Sequence, residues 1–143
     1  MPTSSPFDMF VNERVLYVKL RGVWTPEITK TALLQVQRHM LPLCNQPWAA
    51  YVDMLDWIMP SIEAMNGFAQ IYQWCIEHNQ THEATICKFS MQRQIVQNAS
   101  DYNQDTQIYT SSPAEAVTWL NNHGFSASVP GFTRNHVALV PSD

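Results

Sequence analysis

The alternation of apolar and polar residues divides the chain into short strands and amphipathic helices. Residues 7–12 and 15–21 are two strand-like runs that predict an opening hairpin. The run 48–52 is short and has no polar face, which is typical of a central strand covered on both sides. Residues 83–89 are rich in β-branched and apolar side chains and predict another buried strand, and residues 105–109 predict a last short one.

Apolar residues at helical spacing predict four helices between and after these strands. Thr25, followed by a proline and an acid, is a helix start, and Pro42 ends that helix. The sequence Ser-Pro-Ala-Glu at residues 112–115 has the form of a capping box. We therefore expect helices over residues 25–40, 61–78, 92–102 and 112–124.

The resulting order of elements, ββαβαβαβα, predicts an α/β fold. Strands alternate with helices after the hairpin, so the later strands should be parallel and joined by right-handed crossovers. We expect one domain over residues 1–143, with a mixed four- to five-stranded sheet flanked by about four helices. Residues 125–143 leave this pattern and form a C-terminal extension, with a turn at Pro130 and Gly131 and a strand over 136–140 at a sheet edge.

Composition narrows the classes of partner and the compartment. Eight basic and 12 acidic residues give a net charge of −4 without a basic stripe, so nucleic acid is not expected as a partner. Charged residues make up 14% of the chain, against roughly 25% in typical domains, which suggests that apolar surface meets another surface. Three scattered cysteines without a CxxC pair favour the reducing cytoplasm. No signal peptide or apolar run of membrane-spanning length is evident, so integral membrane association is not expected.

Polar and aromatic residues follow the predicted strands, and the carboxyl ends of parallel strands meet at one edge of a sheet. Asp53 ends the central strand, whereas Asp56 and Trp57 fill the loop after it. Helix N-termini meet at the same edge and favour an anion or a phosphorylated side chain, although such residues also serve as ordinary caps. The candidate site consists of Trp24, Thr25, Asp53, Asp56, Trp57, Ser61, Ser90, Arg93, Ser111 and Ser112.

Metal and catalytic alternatives have weaker support in the sequence. Cys75, His78 and His82 have the spacing of metal ligands, but no fourth ligand is evident and Cys75 falls on an apolar stripe. A nucleophile, Cys87 or Ser90 with His82, lacks any supporting motif. Asp53 and Asp56 could do acid–base chemistry but also fit a turn. We therefore expect no metal, no cofactor and no enzyme activity.

Three apolar residues lie outside the predicted core stripes of their helices. Leu34 lies on the polar side of the first helix, and Ile71 and Trp74 lie three residues apart on the second. Together they predict a modest apolar patch that could form a homodimer.

Several segments of the chain resemble the SpoIIAA-like branch of the STAS superfamily. They are residues 20–25 (LRGVWT), 47–53 (PWAAYVD), 56–57 (DW) and 116–120 (AVTWL). This resemblance implies a mixed sheet flanked by helices, no catalysis, and a regulatory partner protein. It also implies phosphorylation of a serine at the start of the helix after the central strand, for which Ser61 is the nearest match. Residues 59–62 read Met-Pro-Ser-Ile, where the anti-sigma factor antagonists of that superfamily carry Asp-Ser-Ser-Gly.

Three functions follow as hypotheses. The first is a non-catalytic STAS-like binding or regulatory module that acts through protein–protein contacts. The second is a protein that binds a small anionic metabolite or lipid, with Trp24 and Trp57 as apolar walls and Ser61, Ser90 and Arg93 around the charged group. The third is a hydrolase that depends on Cys87, Ser90 or Asp56, for which a perturbed pKa in a cleft would be required.

Overall fold

The computed structural model describes residues 5–100 and 105–134. The strands are β1 (Phe7–Asn12), β2 (Val15–Trp24), β3 (Trp48–Pro60), β4 (Gln80–Ile86) and β5 (Gln107–Thr110). The helices are α1 (Pro26–Met40), α2 (Met65–Glu77), α3 (Ser90–Ala99), α4 (Pro113–Asn122) and α5 (Gly131–Arg134), and a 3₁₀ turn (Ile62–Ala64) precedes α2. Among the helices so described, none is both long and apolar enough to cross a membrane.

The strands form one mixed sheet in the order β1-β2-β3-β4-β5. β1 and β2 are antiparallel, whereas β2 to β5 are parallel neighbours. The α/β class, the opening hairpin and the element order up to α4 are confirmed. The fifth helix is an addition to the prediction.

Helices cover both faces of the sheet. On one face α1, α2 and α3 pack against Leu16, Val18, Ala50 and Val52 of β2 and β3. On the other face α4 and the segment after it pack against the alternate residues of the same strands. The central strand is therefore buried on both sides, as its sequence predicts.

The predicted caps of α1 and α4 are confirmed. The Thr25 hydroxyl accepts a hydrogen bond from the Ile28 amide at 3.3 Å, and the Ser112 hydroxyl accepts one from the Glu115 amide at 3.1 Å. Each cap satisfies a backbone donor that the first helical turn leaves free. Thr25 and Ser112, both predicted site residues, therefore have this structural role.

Several predicted boundaries are wrong. β3 does not end at residue 52 but continues to Pro60. α2 begins at Met65 rather than at Ser61, and α3 begins at Ser90 rather than at residue 92. β4 spans Gln80–Ile86 instead of residues 83–89, because Asn79 reverses the chain with a φ of 76° directly after α2.

The start of the C-terminal extension lies on the face of the sheet. Phe125 belongs to the core beside α4, and the predicted turn at Pro130 and Gly131 is instead the entry to α5. Residues 126–134 continue across β2 and β3, where the Ser128 amide donates to the Tyr17 hydroxyl at 3.3 Å. The strand predicted over residues 136–140 lies outside the described residues.

Candidate functional site

The tail of β3 carries three of the predicted site residues in a setting that the sequence did not predict. Asp53, Asp56 and Trp57 are buried residues of a strand, not residues of a strand end and a loop. Beyond Asp53 the tail pairs with β2 alone, with register shifts after Lys19 and after Gly22. These bulges interrupt the alternation of side chains, which explains why the tail does not look like a strand in sequence.

The two tryptophans predicted to form pocket walls are core residues. Trp24 is 2% exposed and Trp57 is 1% exposed. Their ring centroids are 6.2 Å apart in a T-shaped arrangement, and Trp57 stacks on Phe68 at 5.2 Å. Trp24 borders an apolar cavity of about 50 Å³ between the sheet, α1 and α2, which is far below the roughly 300 Å³ of ordinary ligand sites. The prediction of an apolar ligand pocket between these indoles is wrong.

The two acids of the β3 tail form a buried charge cluster with Lys19 of β2. The Lys19 ammonium lies 2.9 Å from the Asp56 carboxylate and 3.4 Å from that of Asp53. Asp53 also accepts hydrogen bonds from the Leu55 amide at 2.9 Å and the Thr133 hydroxyl at 2.7 Å. Sequence analysis did not select Lys19 as a site residue, although it is the one charged residue in the otherwise apolar run of residues 15–20.

The C-terminal segment covers this buried charge cluster. Thr133 contacts Asp53 and also accepts a hydrogen bond from the Tyr51 hydroxyl at 3.2 Å. Phe132 packs against Phe10 of β1 with 5.6 Å between ring centroids. In this conformation the cluster is sealed from solvent, so it acts in the fold and not as an open site.

Three of the predicted residues do come together in an open pocket at the carboxyl ends of β4 and β5. Ser90, Arg93 and Ser111 border a concavity of about 270 Å³, which we call the cationic pocket. The Arg93 guanidinium carbon lies 4.9 Å from the centre of the Tyr109 ring. The full lining comprises Cys87, Lys88, Phe89, Ser90, Arg93, Tyr109, Thr110 and Ser111.

The start of α3 is fixed to the β3 tail by one buried glutamine. The Gln92 side-chain amide donates to the carbonyls of Met54 at 2.8 Å and Trp57 at 2.7 Å. Its oxygen accepts from the amides of Lys88 at 2.9 Å and Phe89 at 3.1 Å. Gln92 therefore holds the loop that borders the cationic pocket against the sheet.

The same edge of the sheet exposes large apolar side chains that sequence reasoning did not select. Ile62 is 82% exposed, Phe89 60% and Ile58 55%. Each belongs to the end of a strand or the turn after it, and Val23 of β2 and Met91 of α3 are also exposed. We call Val23, Ile58, Ile62, Phe89 and Met91 the apolar rim.

A second buried polar group, Glu83 of β4, lies in the core away from this edge. Its carboxyl accepts hydrogen bonds from the hydroxyls of Thr85 at 2.6 Å and Tyr72 at 2.9 Å. The side-chain amides of Gln80 and Gln107 lie at 3.4 Å and 3.3 Å from its oxygens. Burial raises the pKa of Glu83 from 4.5 to about 7, because the loss of water outweighs these four donors.

Glu83 is expected to make the stability depend on pH. Its folded pKa lies above its unfolded value, so its favourable contribution is complete below about pH 4.5 and is lost as the pH rises through about 7. In urea denaturation, the free energy of unfolding of the wild type should fall between roughly pH 4.5 and 8 by an amount on the order of 3 kcal/mol that is due to Glu83. The Glu83→Gln variant should lack this fall. The exposed Glu77→Gln is the control, and a Glu83→Gln curve parallel to the wild type would contradict this assignment.

The three residues considered for metal binding have separate surroundings, and His82, the base considered for catalysis, does not border the pocket that Cys87 and Ser90 share. Cys75 is buried near Glu83, His78 caps α2 beside Trp74, and His82 packs against His123. Burial and His123 lower the pKa of His82, and burial raises the pKa of Cys87. Within residues 5–100 and 105–134, no group of three or more His, Cys, Asp or Glu side chains could hold a metal ion.

The three residues of the predicted dimer patch have different surroundings. Leu34 is largely exposed and borders a groove between α1 and α2. Ile71 and Trp74 are half-buried and pack against the core, and the Trp74 ring stacks on His78 at 4.1 Å. The expectation that all three form one exposed patch is therefore wrong.

Two solved structures share this architecture. One is an uncharacterised protein of the DUF3478 family with a SpoIIAA-like fold from Shewanella loihica PV-4, with a TM-score of 0.64 and 16% sequence identity over 84% of this chain and 98% of that chain. The other is the anti-sigma factor antagonist SpoIIAA in its unphosphorylated form, with a TM-score of 0.58 and 7% identity over 80% of this chain and 97% of that chain. The chain has a SpoIIAA-like fold. No protein-family model and no curated protein matches the sequence.

In this SpoIIAA-like fold, Ser61 lies directly after the central strand, as the resemblance implies. It precedes the 3₁₀ turn instead of starting α2, and its hydroxyl makes no capping hydrogen bond. The Ser61 amide donates to the Trp24 carbonyl at 2.7 Å, and the hydroxyl oxygen is buried without a hydrogen-bond partner among the described residues. The hydroxyl must therefore become accessible before any enzyme could modify it.

Proposed function

We propose that this chain is a non-catalytic regulatory module that binds a protein partner through the apolar rim. The observation that carries the proposal is the exposure of these large apolar side chains along one edge of the sheet. Single exposed apolar residues are ordinary, but a group of them at one edge is typical of a contact surface. The SpoIIAA-like fold, which an anti-sigma factor antagonist also has, supports a regulatory role.

The rim has the chemistry of an interface core. Phe and Met are enriched at the centres of protein interfaces, and Phe89 and Met91 supply both types. Gln92 fixes the loop before α3 to the β3 tail, so the rim residues of these two elements are presented by a rigid frame. Such a frame lowers the entropy lost on binding.

The proposal is tested by partner capture from native lysate with matched variants. Ile62→Asp and Phe89→Asp should each reduce recovery of a stoichiometric partner about tenfold or more, because a buried unpaired carboxylate costs more than about 1.4 kcal/mol. Leu41→Asp is the control, since Leu41 is 57% exposed at the other end of α1. Equal recovery with all three variants, each with an unchanged circular dichroism spectrum, would refute the rim as the contact surface.

Further expectations accompany this proposal. A second copy of the chain is one candidate partner, and sedimentation equilibrium over a range of concentrations would detect it. Phosphorylation of Ser61 stays a prediction, and it would add about two negative charges beside the rim and weaken binding. The cytoplasmic location stays a prediction from the cysteine usage.

A further inference from the structure

The cationic pocket has a composition that the proposed protein contact does not require. Lys88 and Arg93 are the charged residues of its lining, and none of the described residues that border it is acidic. The ion pairs among the described residues involve Lys19 and Arg21, so neither pocket cation has an acidic partner there. Two positive charges around one concavity create a local potential that attracts anions.

Arg93 borders the pocket and contacts one of its aromatic residues. Its guanidinium lies over the Tyr109 ring, and the Tyr109 hydroxyl donates to the Gln107 side-chain oxygen at 2.9 Å. This cation–π contact places the guanidinium at the pocket, where its N–H groups are donors that an anion can accept from. A planar, fixed fork of donors matches the oxygens of a phosphate or carboxylate.

Hydroxyl groups add further donors around the same space. Ser90 and Ser111 border the pocket on α3 and after β5, respectively. Ser90 is also the first residue of a ten-residue helix, so the positive end of the α3 dipole adds to the two cations. Phe89, which is 60% exposed, provides an apolar side to the pocket.

We propose that the cationic pocket binds a phosphate monoester, with Arg93 and Lys88 on the phosphate oxygens and Phe89 against the organic group. Two cations and two hydroxyl donors match a dianion with three terminal oxygens better than a carboxylate, which has one charge and two oxygens. The volume of about 270 Å³ suits a small phosphorylated molecule or a phosphorylated side chain. This site replaces the predicted one around Trp24, Trp57 and Ser61.

Isothermal titration calorimetry tests this assignment with phenyl phosphate, and with benzoate as the carboxylate bearing the same ring. Phenyl phosphate should bind at least tenfold more tightly than benzoate, and its affinity should fall with added salt. Arg93→Gln and Lys88→Gln should each weaken binding about tenfold or more. Arg38→Gln is the matched control because Arg38 is an exposed arginine on α1. This variant should bind phenyl phosphate with the affinity of the wild type.

A phosphoserine peptide distinguishes the two sources of the phosphate. Binding of the peptide, of phenyl phosphate or of both supports the site, provided that Arg93→Gln weakens it, and shows which source is accepted. Binding of neither, or binding that is equal in Arg93→Gln and wild type, overturns it. Because these variants leave Ile62 unchanged, failure here does not decide the proposed contact through the apolar rim.

Discussion

Replacing Lys19 with methionine is expected to lower the free energy of unfolding by about 3–5 kcal/mol. Lys19 is 1% exposed and is in contact with the carboxylates of Asp53 and Asp56, which are themselves buried. Methionine has a similar length but no charge, so the variant removes the ammonium group that both buried carboxylates contact. Chemical denaturation at neutral pH measures the loss.

Matched variants separate this effect from the loss of a long side chain. Lys30→Met, at an exposed position of α1, should change stability by less than about 0.5 kcal/mol. Adding Asp53→Asn and Asp56→Asn to Lys19→Met should recover part of the loss, because the two buried negative charges are then removed as well. A Lys19→Met protein as stable as the wild type would contradict the buried ion pairs.

Trp57→Ala is expected to destabilise the fold by about 3–5 kcal/mol as well, through loss of packing rather than charge. The indole is 1% exposed and lies against the rings of Trp24 and Phe68, so its removal leaves a large cavity between the sheet and α2. Thermal and urea denaturation should both show the loss.

Ile62→Ala is the control for Trp57→Ala, because Ile62 is 82% exposed and its truncation should cost less than about 0.5 kcal/mol. Unchanged stability of Trp57→Ala would contradict its place in the core. The comparison also affects binding experiments. Loss of partner binding in Trp57→Ala would indicate unfolding, whereas the same loss in an Ile62 variant would indicate that Ile62 belongs to the contact surface.

Local signals in the sequence were sufficient to predict most of the fold. Thr25 and Ser112 were correct helix caps because capping depends on only a few neighbouring residues. The crossover rule also brought Ser90, Arg93 and Ser111 to one pocket, since it depends only on the strands being parallel.

The tail of β3 could not be predicted in the same way. Asp53 and Asp56 suggest a turn, but both contact the ammonium group of Lys19, which lies 34 residues before Asp53 in the chain. The bulges that alter the alternation of side chains arise from pairing with β2 and have no local signature. The residues predicted to form a loop site are therefore core residues, because the tail of β3 pairs with the distant strand β2.

Hydrogen exchange at the β3 tail, measured residue by residue by NMR on the whole chain, tests the central claim most directly. The claim is that β3 continues as sheet to Pro60 and stays buried through Trp57, so that contacts are made by the exposed residues around its end. The account predicts amides from Leu55 to Trp57 whose protection approaches that of Ala50 and Tyr51. Exchange of these amides as fast as that of an exposed loop would contradict the claim. It would indicate that Asp56 and Trp57 lie at the surface.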